Sequence, residues 1–348
     1  MNSYERAMRR LRGEKVDRVP NFDIFMGFAA RRIGQPLRSY YLDSRVLVEA
    51  NIRMVEEFDV DIVQAISDPY RETSDFGAEV DFPEDGLPVA KPLLVDVEDL
   101  RNLPRPDPGT SRRMHDRLEA IRLMREKVGR SVPVMGWVEG ALAQAGDLRG
   151  TSALLTDLVD RPAWVEELLE RCVEVETLFA RMQVEAGADI VGLGDALASQ
   201  VSPRMYRQYA LPYERRIFEA VRSAGALGRL HICGNTTRIL PDMVTCGADI
   251  IDLDWMVDWR LAHETFSGGA VFCGNVDPVA VMLQGTPDAV YRGVRECLQT
   301  GDDRCISAAG CEIPTGTPPE NLHAQTRALR NFVAGDTMAD MLRSKEVP

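Results

Sequence analysis

The sequence predicts an α/β fold, a (β/α)8 TIM barrel with a lid or hairpin inserted after the second strand, and three observations carry that prediction. Eight short runs rich in β-branched and apolar residues recur along the chain, at 19–25, 60–66, 132–138, 189–193, 229–232, 249–253, 270–273 and 304–308. Amphipathic, charge-decorated segments separate them, the alternation that builds a parallel sheet with helices outside it. Eight such units in 348 residues suit a barrel better than an open doubly wound sheet. No G-x-G-x-x-G follows the first run to support a dinucleotide-binding fold.

The elements follow in order. Residues 1–12 carry five charged side chains and read as a short amphipathic helix. Residues 162–186 and 203–224 are helical patterns, each opening with a proline, Pro162 or Pro203, where the missing N–H costs nothing. The interval from Asp68 to Thr110 is too long for a simple connection. It is rich in Pro, Gly and Asp, and Gly77-Ala78-Glu79-Val80-Asp81-Phe82-Pro83 within it reads as a hairpin. Long loops in compact domains serve as lids or binding segments, so this one is expected to cover the barrel mouth. No internal repeat, low-complexity tract or interdomain linker interrupts the pattern, which makes residues 1–348 a single domain.

Composition narrows the function. With 45% hydrophobic residues the chain can bury a substantial core. A formal charge of −13 argues against nucleic acid or an anionic membrane surface as partner. No apolar stretch resembles a signal peptide or is long enough to span a bilayer, so the expected location is the cytoplasm. Seven cysteines, an odd number in a long acidic chain, point to reduced thiols rather than a disulfide framework.

The polar residues that end the runs are the candidate site, because active sites of this fold lie at the C-terminal ends of the strands. Asp68 follows the second run, Glu139 the third, Asp195 the fourth, His231 and Cys233 the fifth, Asp254 the sixth, Asn275 and Asp277 the seventh, and Cys311 the eighth. His231 and Cys233 lie two residues apart at a strand end and therefore point the same way, and Cys311 follows 78 residues later. Mixed imidazole and thiolate ligation suits zinc, and three protein ligands leave a fourth position open, as in catalytic rather than structural zinc sites. Cys172, Cys246, Cys273, Cys297 and Cys305 do not share this placement and are expected to pack as small apolar residues.

At these residues the chain resembles the uroporphyrinogen decarboxylase superfamily. The resemblance is carried by Asp17-Arg18-Val19-Pro20, Ile66-Ser67-Asp68-Pro69, Ser202-Pro203, Asp252-Leu253-Asp254-Trp255, Gly274-Asn275-Val276-Asp277-Pro278 and Pro314-Thr315-Gly316-Thr317-Pro318-Pro319-Glu320-Asn321. It implies the same (β/α)8 barrel, and two chemistries, porphyrin decarboxylation and zinc-dependent cobamide methyl transfer. His231-Ile232-Cys233-Gly234-Asn235 is similar to the His-x-Cys-Gly motif of the methylcobamide:thiol methyltransferases, whose histidine and two cysteines hold zinc. The decarboxylases' Arg-Gln-Ala-Gly-Arg segment is replaced by Met26-Gly27-Phe28-Ala29-Ala30-Arg31-Arg32, and their Gly-His-Gly by Gly310-Cys311-Glu312. Asp68 alone matches the acidic residue that decarboxylases use to bind pyrroles.

The resemblance implies a methyltransferase in which zinc, on His231, Cys233 and Cys311, favours the ionised form of a substrate thiol. A corrinoid, free or on a carrier protein, supplies or receives the methyl group. Glu139 is the candidate fourth ligand or proton acceptor and Asp195 its competitor, either of which could instead cap a helix or orient a ligand. Asp68, Asp254 and Asn275 are candidates for substrate contact or ordering of the rim. Two other readings remain: a decarboxylase of pyrrolic substrates, and a barrel that binds a corrinoid or partner protein without turnover; a homo-oligomer is compatible with each.

Overall fold

The structure is a computed structural model and describes residues 1–266, 271–301 and 303–332. Residue 270, with which the seventh expected run begins, and residues 333–348 of the expected domain lie outside the described residues. The strands are β1 (Val63–Gln64), β2 (Val80–Asp81), β3 (Val89–Ala90), β4 (Val134–Glu139), β5 (Ile190–Gly194), β6 (Leu227–Ile232), β7 (Ile250–Leu253), β8 (Val271–Val276) and β9 (Ile306–Ala309). Seven of them form one sheet in the order β1-β4-β5-β6-β7-β8-β9, every pairing parallel. Helices fill the crossovers, as a parallel sheet requires.

The sheet curls. Arg229, fully buried on β6, reaches Met135 Sδ of β4 at 4.0 Å, Cys273 Sγ of β8 at 3.7 Å and the Phe22 carbonyl at 3.2 Å. Residues from strands far apart in the sheet order thus meet around one side chain.

The first expected strand, 19–25, does not form a regular strand, and its hydrogen bonds explain why. Pro20 has no N–H, the Asn21 N–H donates to Asp61 Oδ2 at 2.8 Å, and the Asp23 N–H donates to the Asn21 side chain at 3.0 Å. What remains is a parallel bridge between Asn21 and Ser307, with Phe22 N–H donating to Ser307 at 2.8 Å. On the other side the Asp61 N–H donates to the Asn21 carbonyl at 2.9 Å, so this short segment is bonded both to β9 and to the residues leading into β1.

The helix Pro162–Glu185 buries Val165, Leu168, Leu169, Cys172, Phe179 and Ala180 at helical spacing, which seats it along the sheet. The helical pattern 203–224 divides into Pro203–Tyr209 and Leu211–Ser223. Pro212 is the cause: it cannot donate to the carbonyl four residues earlier, and the chain turns at Ala210.

In the insertion, β2 and β3 pair antiparallel with Val80 opposite Ala90, and the helix Arg71–Asp75 precedes them. Its later part is pinned to the flank, where the Leu93 and Leu94 N–H groups both donate to the Leu148 carbonyl at 2.9 Å. The hairpin turn meets the chain near residue 38, Arg38 N–H donating to the Glu84 carbonyl at 2.9 Å. Among the described residues no helix is long and apolar enough to cross a membrane.

Candidate metal centre

The ladder register sets the level of each side chain at the C-terminal edge of the sheet. Glu139 pairs with Gly194, Gly194 with His231, and His231 with Asp252. His231 is the penultimate residue of β6, Cys233 follows the strand, and Cys311 lies two residues beyond β9. Gly310 makes that last placement feasible: a Cβ there would lie 2.2 Å from the Trp255 backbone nitrogen, so only glycine lets the two loops approach.

His231 Nε2 is 3.1 Å from Cys233 Sγ and 3.8 Å from Cys311 Sγ, and the two sulfurs are 3.8 Å apart. Zinc bonds of about 2.3 Å to sulfur and about 2.0–2.1 Å to nitrogen, arranged tetrahedrally, put two sulfurs about 3.8 Å apart and a nitrogen and a sulfur about 3.6 Å apart. The donor spacing therefore fits one zinc ion, and no other group of three His, Cys, Asp or Glu ligands is assembled among the described residues. His231 is buried whereas Cys233 and Cys311 are half-exposed, so the cluster faces the mouth through its sulfurs. The hydrogen bond shared by the two thiols and the neighbouring His231 imidazole pull Cys311 down to about 4, while that bond and burial push Cys233 up. The pair thus already favours one thiolate.

The other expected residues divide. Glu139 ends β4 and is buried, its Oε1 accepting from Trp137 Nε1 at 3.1 Å; burial and the nearby Glu72 and Asp147 carboxyls raise its proton affinity. Trp137 in turn lies with its ring centroid 6.5 Å from that of His231. Asp195 turns to the neighbouring helix: its Oδ1 accepts from Ala143 N–H at 2.9 Å, in the first turn of the helix Ala141–Arg149, and burial pushes its carboxyl up to about 7. Asp254 accepts from the Gly234 and Met256 N–H groups at 2.8 and 3.0 Å, tying the loop after Cys233 to its own. Asn275 donates to the Val257 carbonyl at 2.8 Å and so orders the same rim. Asp68 is buried and ion-paired with Arg113, and also accepts from Ser67 Oγ at 3.0 Å and Tyr70 N–H at 3.1 Å. The five remaining cysteines are free thiols, of which Cys297 alone is not fully buried.

One residue of the site escaped the sequence reading. Asp252, fully buried on β7, places Oδ2 3.1 Å from His231 Nδ1 and 2.6 Å from Arg229 Nη2. A charged residue inside an apolar strand run was the available signal, and its register opposite His231 came only from the fold.

Volume is a poor guide here. A cavity of about 830 Å³ opens at the opposite end of the sheet, lined by Asp189, Leu227 and Asp249 at strand starts, away from the ligand cluster.

The sequence profile of uroporphyrinogen decarboxylase (URO-D) matches residues 2–332. The chain belongs to the uroporphyrinogen decarboxylase family. Within that family it is 32% identical to the methylcobamide:CoM methyltransferase MtbA of Methanosarcina mazei over 246 residues, 70% of this chain and 71% of the relative. A uroporphyrinogen decarboxylase of Parasynechococcus marenigrum is 28% identical over 342 residues, 94% of this chain and 96% of that one. A solved structure described as a methyltransferase from Methanosarcina mazei superposes with a TM-score of 0.87 at 26% identity, covering 95% of this chain and 98% of the other. These likenesses bear out the methylcobamide branch expected from His-x-Cys-Gly and the TIM-barrel-like character of the fold.

Proposed function

We propose that this chain is a zinc-dependent methyltransferase that moves a methyl group between a corrinoid and a thiol or methylated small molecule. The convergence of His231, Cys233 and Cys311 carries the reading, because this donor set suits zinc and leaves a position open toward the mouth. Bound there, the ion lowers the pKa of a substrate thiol, which free in water is about 8.5. The names of the relatives, methylcobamide:CoM methyltransferase above all, support corrinoid and thiol as the two partners.

The chain's own groups divide the remaining work. Glu139 ends β4 at the same edge of the sheet, linked through Gly194 to the level of His231, so we assign it to support the metal or its proton balance. Asp195 holds the start of the helix Ala141–Arg149 rather than reacting, since Ala143 occupies one of its oxygens. Asp254 and Asn275 shape the rim against which substrate rests. Asp68 serves the same rim through Arg113.

On this reading the segment around Asn21 is the eighth stave of a closed (β/α)8 barrel forming one domain over the chain, because it is bonded on both sides. The hairpin β2–β3 acts as a lid. Its turn residues Glu84 and Asp85 line a cavity of about 570 Å³ together with Gly27 and Thr315, the latter four residues past Cys311. A cytoplasmic location and a separate corrinoid carrier complete the proposal.

The test follows methylcobalamin absorbance with a panel of thiols and zinc-loaded protein. It is repeated in reverse with methoxylated and methylamine donors and reduced cobalamin. Thiol-dependent loss of methylcobalamin, or methylation of reduced cobalamin, supports the proposal. No transfer in either direction, with the metal bound and a matching carrier present, refutes the function.

A further inference from the structure

We infer that Asp252, held by Arg229, is a positioning residue of the metal centre: it fixes His231 in the tautomer and orientation that present Nε2 to the ion. The inference rests on the metal-centre reading above and extends it to two residues outside the ligand set.

The geometry is a line of three side chains. Arg229 Nη2 donates to Asp252 Oδ2 at 2.6 Å, and the same oxygen lies 3.1 Å from His231 Nδ1. At the far edge of the imidazole, Nε2 faces Cys233 and Cys311. A carboxylate can only accept, so the Nδ1 it faces carries the proton, which leaves the lone pair on Nε2 for a metal.

Two features make Asp252 a dedicated acceptor and not an incidental neighbour. All three residues are buried, so the carboxylate has no water to turn toward, and a lone buried carboxylate would be costly. Arg229 removes that cost by pairing with it, and Arg229 is itself anchored by the Phe22 carbonyl at 3.2 Å. The three positions also fall on adjacent strands at fixed register, Arg229 opposite Ile250 and His231 opposite Asp252. Strands, unlike loops, hold such a geometry closely, as a preorganised ligand set requires.

Arg229 has a second consequence. An unpaired carboxylate would draw the Nδ1 proton toward itself and make the imidazole a strongly electron-rich ligand. A guanidinium on the same oxygen competes for that density and tempers the effect.

The test compares wild type and Asp252→Asn, each stripped of metal and titrated with Co2+, reading affinity and the ligand-field and sulfur-to-cobalt bands. Thermal unfolding of the metal-free proteins runs alongside. Loss of an outer partner of a ligand histidine typically lowers metal affinity about 10–100-fold, and that loss with shifted bands is expected of the folded variant. Wild-type affinity and bands in a folded Asp252→Asn protein overturn the inference. Failure of wild type to bind Co2+ at all overturns the metal-centre reading instead.

A measurement on wild type alone covers the case in which the variant does not fold. In 15N-edited spectra of the metal-loaded protein, the His231 ring is expected to show a protonated Nδ1 and a metal-bound Nε2. Metal on Nδ1, or a proton on Nε2, rules the inference out.

Discussion

Cys233 and Cys311, 78 positions apart in the chain, hold their sulfur atoms 3.8 Å apart. Neither thiol is replaceable by the other, because His231 lies between them at 3.1 and 3.8 Å and the three donors define one cavity for an ion. Cys311→Ala is therefore expected to lower zinc affinity by more than the about 10–100-fold that loss of an outer partner costs. Metal analysis of wild type should find close to one zinc per chain and that of the variant little. Equal occupancy in the two would remove Cys311 from the site.

The chain should not convert uroporphyrinogen to coproporphyrinogen. The residue that matches the decarboxylases' pyrrole-binding acid, Asp68, is taken up by Arg113, Ser67 and the Tyr70 N–H, and the arginine pair and last-strand histidine of their motifs are missing. Chromatography of the porphyrins after incubation checks this, and turnover at an enzymatic rate would contradict it.

Trp137 depends on the glycines of β5. A Cβ on Gly192 would lie 2.3 Å from the indole ring, so Gly192→Ala must displace a side chain that packs near His231. Overpacking of this kind costs about 1–3 kcal/mol, to be read from urea unfolding of the metal-free protein. An unchanged midpoint and slope would show that the indole is not confined there.

Stability should fall as pH rises, and Glu176 should contribute to the fall. Burial raises its proton affinity, helped by the nearby Glu72 and Glu139 carboxyls, and neither of its oxygens has a hydrogen-bond partner. Above the ordinary carboxyl range of about 4.3 the folded chain thus binds more protons than the unfolded chain. Its contribution is fully present below that range and is lost as pH climbs toward the folded value. Unfolding free energies at about pH 5, 7 and 9 should decline less steeply for Glu176→Gln than for wild type. Parallel profiles would exclude Glu176 as a source of the slope.

How much of this was legible in the sequence depends on whether a residue's neighbours lie along the chain or across it. The parallel strands announce themselves as apolar runs, and the ligand trio as scarce His and Cys at the ends of those runs. Asp195 ends its run like the other candidate acids, and its bond to the Ala143 N–H, 52 residues away, could not be read from that position. Asp68 is paired with Arg113, 45 residues away, a partner that its own segment does not announce. Asp252 sits within an apolar run and gains its meaning only from the β6–β7 register. The strand expected at 19–25 failed because Asp61 and the Asn21 side chain divert the backbone donors a ladder would have used.

The position of Cys311 has a consequence for the order of events at the ribosome. On the metal-centre reading, until residue 311 has been made and has left the exit tunnel the growing chain offers an ion only two of the three donors, His231 and Cys233. The third donor then depends on β9, whose Ser307 is bonded to Pro20 and Phe22 near the beginning of the chain. On the metal-centre reading, a complete donor set therefore depends on β9 pairing with the segment around Asn21, from which it is separated by most of the described chain.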